Sequence, residues 1–422
     1  MKLLRVKMHL LTIVLCLLLT PFSSGAYSVL THEAIIDACW QKSIQPLLQH
    51  KYPGTTEEQL KEAHSYAYGG AIAPDMGYFP FGSPLFTNLV HYVRSGDFVI
   101  ALLEEAQDVN EYAFALGFLS HYMADKYGHF IGTNRCVPIV YPKIKRKFGN
   151  LVTYEEDHVS HKRMEFAFDV LETAKGNYAS QAYHDFIGFK VSRPLLERAF
   201  SKTYGLDINH IFKNLSLAIE TFRWSVHSLF PVLTKAAWTM KRKEILELQP
   251  TATSRSFRYK MARTNYYQDF GKKQRKPGIF ANALGWLIRV LPKVGPLRSL
   301  KLKDPGPVAE KLFIESFDTV LLHCVAAMKI LSTGNLNFAN IDFDTGNKTV
   351  PGEYKLADKS YSTLLLRLDK SQYLLLNAGL KENIIGFYGN TDSTTVNKNG
   401  PRSWKRVMAA LAQLRATQPS VL

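Results

Sequence analysis

The chain has 422 residues, 46% of them hydrophobic and 21% charged, with a formal net charge of +16. That composition supplies one large core or two smaller ones and excludes wholesale disorder. The basic excess favours anionic partners, whether phosphate esters, nucleic acid or acidic lipid surfaces, without choosing among them.

Residues 1–26 join Lys2, Arg5 and Lys7 to the apolar run LLTIVLCLLL and to Ser24-Gly25-Ala26. This is the pattern of a secretory signal peptide, and the apolar run is short for a membrane span. Export, to the medium or a periplasm, is the expected localisation. Cleavage after Ala26 makes Tyr27 the mature N-terminus and leaves 49 basic against 36 acidic residues, a charge of +13. Three mature cysteines remain, Cys39, Cys136 and Cys324. An odd count excludes a disulfide scaffold, although an oxidising compartment would allow one bridge, Cys39–Cys136.

Helical apolar spacing then runs through most of the chain. It covers residues 34–52, follows a helix start at Thr55-Thr56-Glu57-Glu58, and recurs over 98–129, 161–174, 212–248 and 309–332. Two stretches break it. Residues 135–157, with two prolines and the run KIKRK, read as a long loop, and 249–278 as a basic linker or surface excursion. Residues 279–297 are apolar with flanking cations, suiting either a buried helix ended by Pro292 or a membrane-interface helix. Alternating strand patterns are scarce, so an all-α fold is expected. We divide it into a catalytic part over 27–245, the linker over 246–278 and a helical C-terminal region over 279–422 that carries no legible motif.

The chemistry gathers in the first part. GFLSHYMADKYGH sets His121, Asp125 and His129 four residues apart, so all three share one side of a helix. HKRME repeats the spacing with His161 and Glu165. Asp75 lies between Pro74 and Gly77, His91 lies in LVHYV, and His32 follows the mature terminus by five residues. One His–Asp pair at helical spacing is weak evidence for a metal. Two such pairs with three further donors form a stronger set, and imidazole with carboxylate suits zinc.

These motifs in this order resemble the zinc-dependent phospholipase C family, which shares its helical fold with single-strand-specific nucleases. The resemblance implies a cluster of three zinc ions. It places Tyr27, through its amine and carbonyl, and His32 on one zinc with Asp125 bridging. Asp75, His91, His121 and Asp125 fall on the second, and His129, His161 and Glu165 on the third. Tyr27 stands where the family usually has Trp, and only its backbone would ligate. His158, one turn before His161, is an alternate ligand.

The implied activity is phospholipase C hydrolysis of a phospholipid by a zinc-activated water, with Asp75 orienting that water or acting as general base. Glu165 favours this branch, since the nucleases usually end the last pair in Asp. GYFPFGSPLF, residues 77–86, would supply an apolar wall for acyl chains, and peripheral membrane contact would follow. The alternatives are a single-strand nuclease or nucleotidase on the same site, with nucleic acid as partner, and a non-catalytic exported metal- or lipid-binding protein.

Overall fold

Thr56 opens α3 (Glu57–Ile72) with a capping box, its hydroxyl accepting from Gln59 N while the Gln59 side chain accepts from Thr56 N. Before it, α1 (Val29–Cys39) runs through a π-helical turn, Trp40–Ile44, into α2 (Gln45–Lys51). A 3₁₀ turn, Ala73–Tyr78, follows α3, and then come α4 (Pro84–Tyr92), α5 (Ser95–Glu105) and α6 (Val109–Gly128). Asp108 accepts from Asn110 N and Glu111 N and so starts α6 afresh, which breaks the 98–129 pattern into two helices.

This computed structural model describes residues 29–175, 190–226, 303–334, 337–389 and 401–420. The signal peptide, Tyr27, the basic stretch 249–278 and the apolar stretch 279–297 lie outside the described residues. Among the described residues the regular structure is helical, with a lone β-bridge between Ile341 and Lys348, so the fold is all-α. The match to a continuous helix over 212–248 is described only as α11 (Leu215–Trp224), preceded by α10 (Arg193–Tyr204). The described part of the C-terminal region adds α12 (Gly306–Leu331), α13 (Lys355–Lys370), α14 (Ala378–Gly389) and α15 (Pro401–Ala416).

The long loop expected over 135–157 is mostly helix. After a π-helical turn at His129–Thr133 come α7 (Asn134–Val140) and α8 (Pro142–Phe148), and only the stretch before α9 (His158–Lys175) is irregular. Both prolines are accommodated. Pro138 cannot donate to the Asn134 carbonyl, and Val152 N donates to that oxygen instead at 2.9 Å. Pro142 occupies the first position of α8, where a missing N–H costs nothing. The Cys39–Cys136 bridge is also absent. Cys136 Sγ donates to the Ala309 carbonyl at 3.3 Å, while Cys39 is hydrogen-bonded to Cys324 across α1 and α12.

Helix α6 is the axis of the molecule, packed by α1, α3, α5 and α12. Its closest neighbour is α3, and glycines set the approach. A Cβ on Gly70 would overlap the Phe114 carbonyl, and one on Gly117 would overlap the Ala67 carbonyl. The two backbones therefore touch, and one turn beyond Gly117 the His121 Nδ1 reaches the Ala71 carbonyl at 2.8 Å. Overpacking a tight core site costs about 1–3 kcal/mol. Gly117→Ala should destabilise the protein by at least that amount, read as a lower denaturation midpoint. An unchanged midpoint would mean that the helices separate freely.

Candidate metal centre

Each ligand-type residue is placed by a local device. Thr87 on α4 ties down the 3₁₀ turn that carries Asp75, its hydroxyl donating to the Pro74 carbonyl at 2.6 Å and accepting from Gly77 N at 3.0 Å. One turn later the His91 Nδ1 lies 2.8 Å from the Thr87 carbonyl. Asp169 on α9 fixes the start of α1 by accepting from Leu30 N at 3.0 Å, Thr31 N at 3.1 Å and the Thr31 hydroxyl at 2.7 Å. That clamp brings His32 beside α9, although the helix begins 126 positions further along the chain (158 − 32).

The side chains meet at Asp125, which is fully buried. Its Oδ2 lies 3.1 Å from His121 Nε2 and 3.6 Å from His91 Nε2. Its Oδ1 lies 3.7 Å from both His32 Nε2 and His129 Nε2. Asp75 Oδ1 is 3.5 Å from His91 Nε2. Ligands at about 2.0–2.1 Å from one tetrahedral zinc lie about 3.3 Å from each other, so these separations are edges of small coordination shells. Among the described residues three groups have this compactness: His32, His121 and Asp125; Asp75, His91 and His121; and His129, His161 and Glu165. His121 thus stands between the first two groups rather than in the second alone. His158 belongs to none of them; it is exposed at the start of α9, because one turn back from His161 the helix has left the core.

The donor chemistry fits cations. An imidazole whose Nδ1 faces a carbonyl must carry its proton there, which leaves an Nε2 lone pair. That holds for His91 and His121, whose buried Nε2 atoms make no well-directed hydrogen bond. The same is true of both Asp125 oxygens, Asp75 Oδ1 and both Glu165 oxygens. His161 has the reverse tautomer. Its Nε2 lies 2.7 Å from Asn134 Oδ1, so Nδ1 and Glu165 Oε1 face each other as acceptors at 2.7 Å, an arrangement that a shared cation stabilises.

The electrostatics agree. Burial alone would raise the Asp125 carboxyl, but His121, His129 and His32 hold it far below the usual carboxylate range. Glu165 is pushed well above that range by burial and by the charges of Asp75 and Asp125. Burial also lowers His161 to about 4 and Lys162 to about 8. Asp125 in turn raises His121 and His129 against the effect of burial, so this buried set draws in positive charge, which divalent ions would supply in place of protons.

One supporting residue had no signal in the sequence. The segment 339–346 crosses α5 and the end of α6, with Ser95 Oγ bound to Ile341, Phe343 N donating to the His91 carbonyl at 3.1 Å, and the Tyr122 hydroxyl donating to Ala339 O. It delivers Asp344, 2% exposed, whose Oδ1 lies 3.1 Å from His129 Nδ1. The other oxygen accepts from Tyr154 N and the Tyr354 hydroxyl. Asn134 Nδ2 donates to the Asp344 carbonyl, which orients its amide oxygen toward His161. One residue from the motif-free C-terminal region therefore orients two ligands of the third group.

Residues 31–214 match the family model described as zinc dependent phospholipase C. No curated protein and no solved structure matches the chain.

Removing a partner behind a metal-bound histidine typically costs 10–100-fold in metal affinity. Asp344→Asn should weaken one zinc site by about that factor in a chelator competition while the other sites hold; uniform affinity at all sites would deny Asp344 this role. Asp125→Asn should lower zinc content by more than one ion per chain and His161→Ala by about one, measured by elemental analysis. Equal stoichiometry in wild type and Asp125→Asn would contradict a shared aspartate.

Proposed function

We propose that the protein is an exported zinc-dependent phosphodiesterase of the phospholipase C type, acting on the glycerol–phosphate bond of phospholipids. The observation that carries this reading is the convergence of His32, Asp75, His91, His121, His129, His161 and Glu165 around buried Asp125, within the segment that matches the zinc-dependent family. Three zinc ions are the expected load. Export and cleavage after Ala26 would free the Tyr27 amine to join His32. A closed structural zinc site needs four protein ligands and no cluster of sites, which argues against a non-catalytic role.

When bound, zinc lowers the pKa of a coordinated water toward neutrality and offsets charge on the phosphoryl oxygens. The chain's own residues supply position and proton management. Asp75, held on its 3₁₀ turn by Thr87, is the carboxylate assigned to orient the attacking water or accept its proton. Carbonyl contacts at His91 and His121 fix each ring with Nε2 inward.

Two features bear on substrate class. Phe81, on the turn joining the Asp75 and His91 elements, is 56% exposed with φ of 62°, so its ring is free to meet an acyl chain. Phe79 is not: it is buried edge-on against Phe222, with ring centres 4.7 Å apart, and only one of the two aromatic rings can serve as an apolar wall. Tyr78, half-buried beside His91, and Tyr154, half-buried beside His161, would instead offer stacking faces to bases in a nuclease.

The zinc-loaded protein should hydrolyse phosphatidylcholine in micelles or vesicles faster than the monomeric lipid. Phe81→Ser should impair that activity more than hydrolysis of a small soluble phosphodiester. Efficient cleavage of single-stranded DNA, steeply weakened by salt, with vesicles left intact would replace the lipase reading with the nuclease one.

A further inference from the structure

Lys162 on α9 stands between His161 and Glu165 in sequence, and its side chain is buried at 5% exposure. Its Nζ lies 5.3 Å from the centre of the Tyr154 ring and 5.7 Å from that of Tyr78. The carboxylates that act on it are Glu165, from the third ligand group, and Asp75, from the second. Among the described residues the Lys162 ammonium makes no hydrogen bond, and no carboxylate oxygen comes within 4.0 Å of it.

Lysines with a structural pairing look different in this chain. Lys202 reaches Glu105 at 2.7 Å and Glu104 at 3.2 Å, and Lys355 reaches Glu155 at 3.1 Å, all near the surface. An ammonium taken out of water without a close counter-charge is costly, and ring faces offset only a small part of the loss. Tyr78 and Tyr154 attract the cation but carry no net charge, so they hold Lys162 in place without neutralising it. The ammonium is left beside the place where two ligand groups meet.

We propose that Lys162 is the anion contact of this centre, donating a hydrogen bond to a non-bridging oxygen of the substrate phosphate. The inference rests on the phosphodiesterase reading and deepens it. Phospholipid and nucleotide present the same phosphodiester oxygens, so the contact serves either source. Lys162 binds and orients the phosphate, while attack and departure of the leaving group belong to the ligand groups.

Calorimetric titration of the zinc-loaded protein with inorganic phosphate reads this contact without turnover. Lys162→Met keeps the stem and removes the charge, and Lys162→Gln provides a second variant should methionine disturb the fold. Zinc content and thermal midpoint are measured for each. The expected result is unchanged zinc content, a loss of phosphate affinity of about ten- to a hundredfold, and recovery of most of it in Lys162→Arg. The KM for a soluble phosphodiester should rise in parallel. Unchanged phosphate affinity in a zinc-replete variant overturns the proposal. Loss of zinc from both uncharged variants also overturns it, since Lys162 would then support Glu165 and Asp75 instead. If wild type binds phosphate through Lys162 yet hydrolyses neither lipid nor nucleic acid, the anion contact stands and the phosphodiesterase reading fails.

Discussion

The structure depends on one buried carboxylate. Asp125 is shut off from water and faced by His121 and His91 on one oxygen and by His32 and His129 on the other. An ionised carboxylate in such a place costs several kcal/mol unless positive charge compensates it. Burial opposes charge on the surrounding imidazoles, but the nearby Asp125 carboxylate outweighs it at His121 and His129 and raises both, whereas at His161 burial wins and lowers it. Divalent ions would supply the missing compensation, and structural zinc contributes about 10–16 kcal/mol to folding in small domains. The same electrostatic deficit therefore links stability of this region to the chemistry proposed for it.

Around that point the fold acts as a positioning frame. Two glycines bring α3 and α6 into backbone contact, and the contact sets the His121 ring on the Ala71 carbonyl. Thr87 couples Asp75 to His91 through three hydrogen bonds on neighbouring atoms. Asp169 clamps the first turn of α1, and Asp344 stands behind His129. His91, His121, His129 and His161 are thus each held by a partner that is not itself in a candidate ligand group. This arrangement confines the donor atoms to a small volume before any ion is bound and lowers the ordering cost of binding.

The C-terminal region is joined to the same frame. Helix α12 packs on α6 and on the π-helical turn that begins at His129, and α13 packs on α4, which carries His91. Between them the segment 338–346 lies so close that a Cβ at Gly96 would overlap the Phe338 carbonyl and one at Gly346 would overlap the Lys126 carbonyl. The family match ends at residue 214, yet the environment of the third ligand group is completed from well beyond it. No helix among the described residues is long and apolar enough to cross a membrane.

The sequence alone determined what helix geometry dictates locally. Four-residue spacing puts His121, Asp125 and His129 on one side of α6, and His161 and Glu165 on one side of α9, whatever surrounds them. Apolar periodicity gave the all-α class, and Thr56 marked a helix start through its own capping chemistry. Tertiary structure decided the rest, because the deciding contacts join residues far apart in the chain. Asp344 meets His129 across 215 positions and Asp169 meets Thr31 across 138, and nothing near either aspartate in sequence marks the pairing. Cys39 lies against Cys324 rather than Cys136 because α1 and α12 pack together. Residues 134–148 form helices around two prolines only because Val152 folds back to take the carbonyl that Pro138 leaves free. Periodicity records which face of an element is buried; it carries no record of which distant group will face it, and that choice is made when the helices pack.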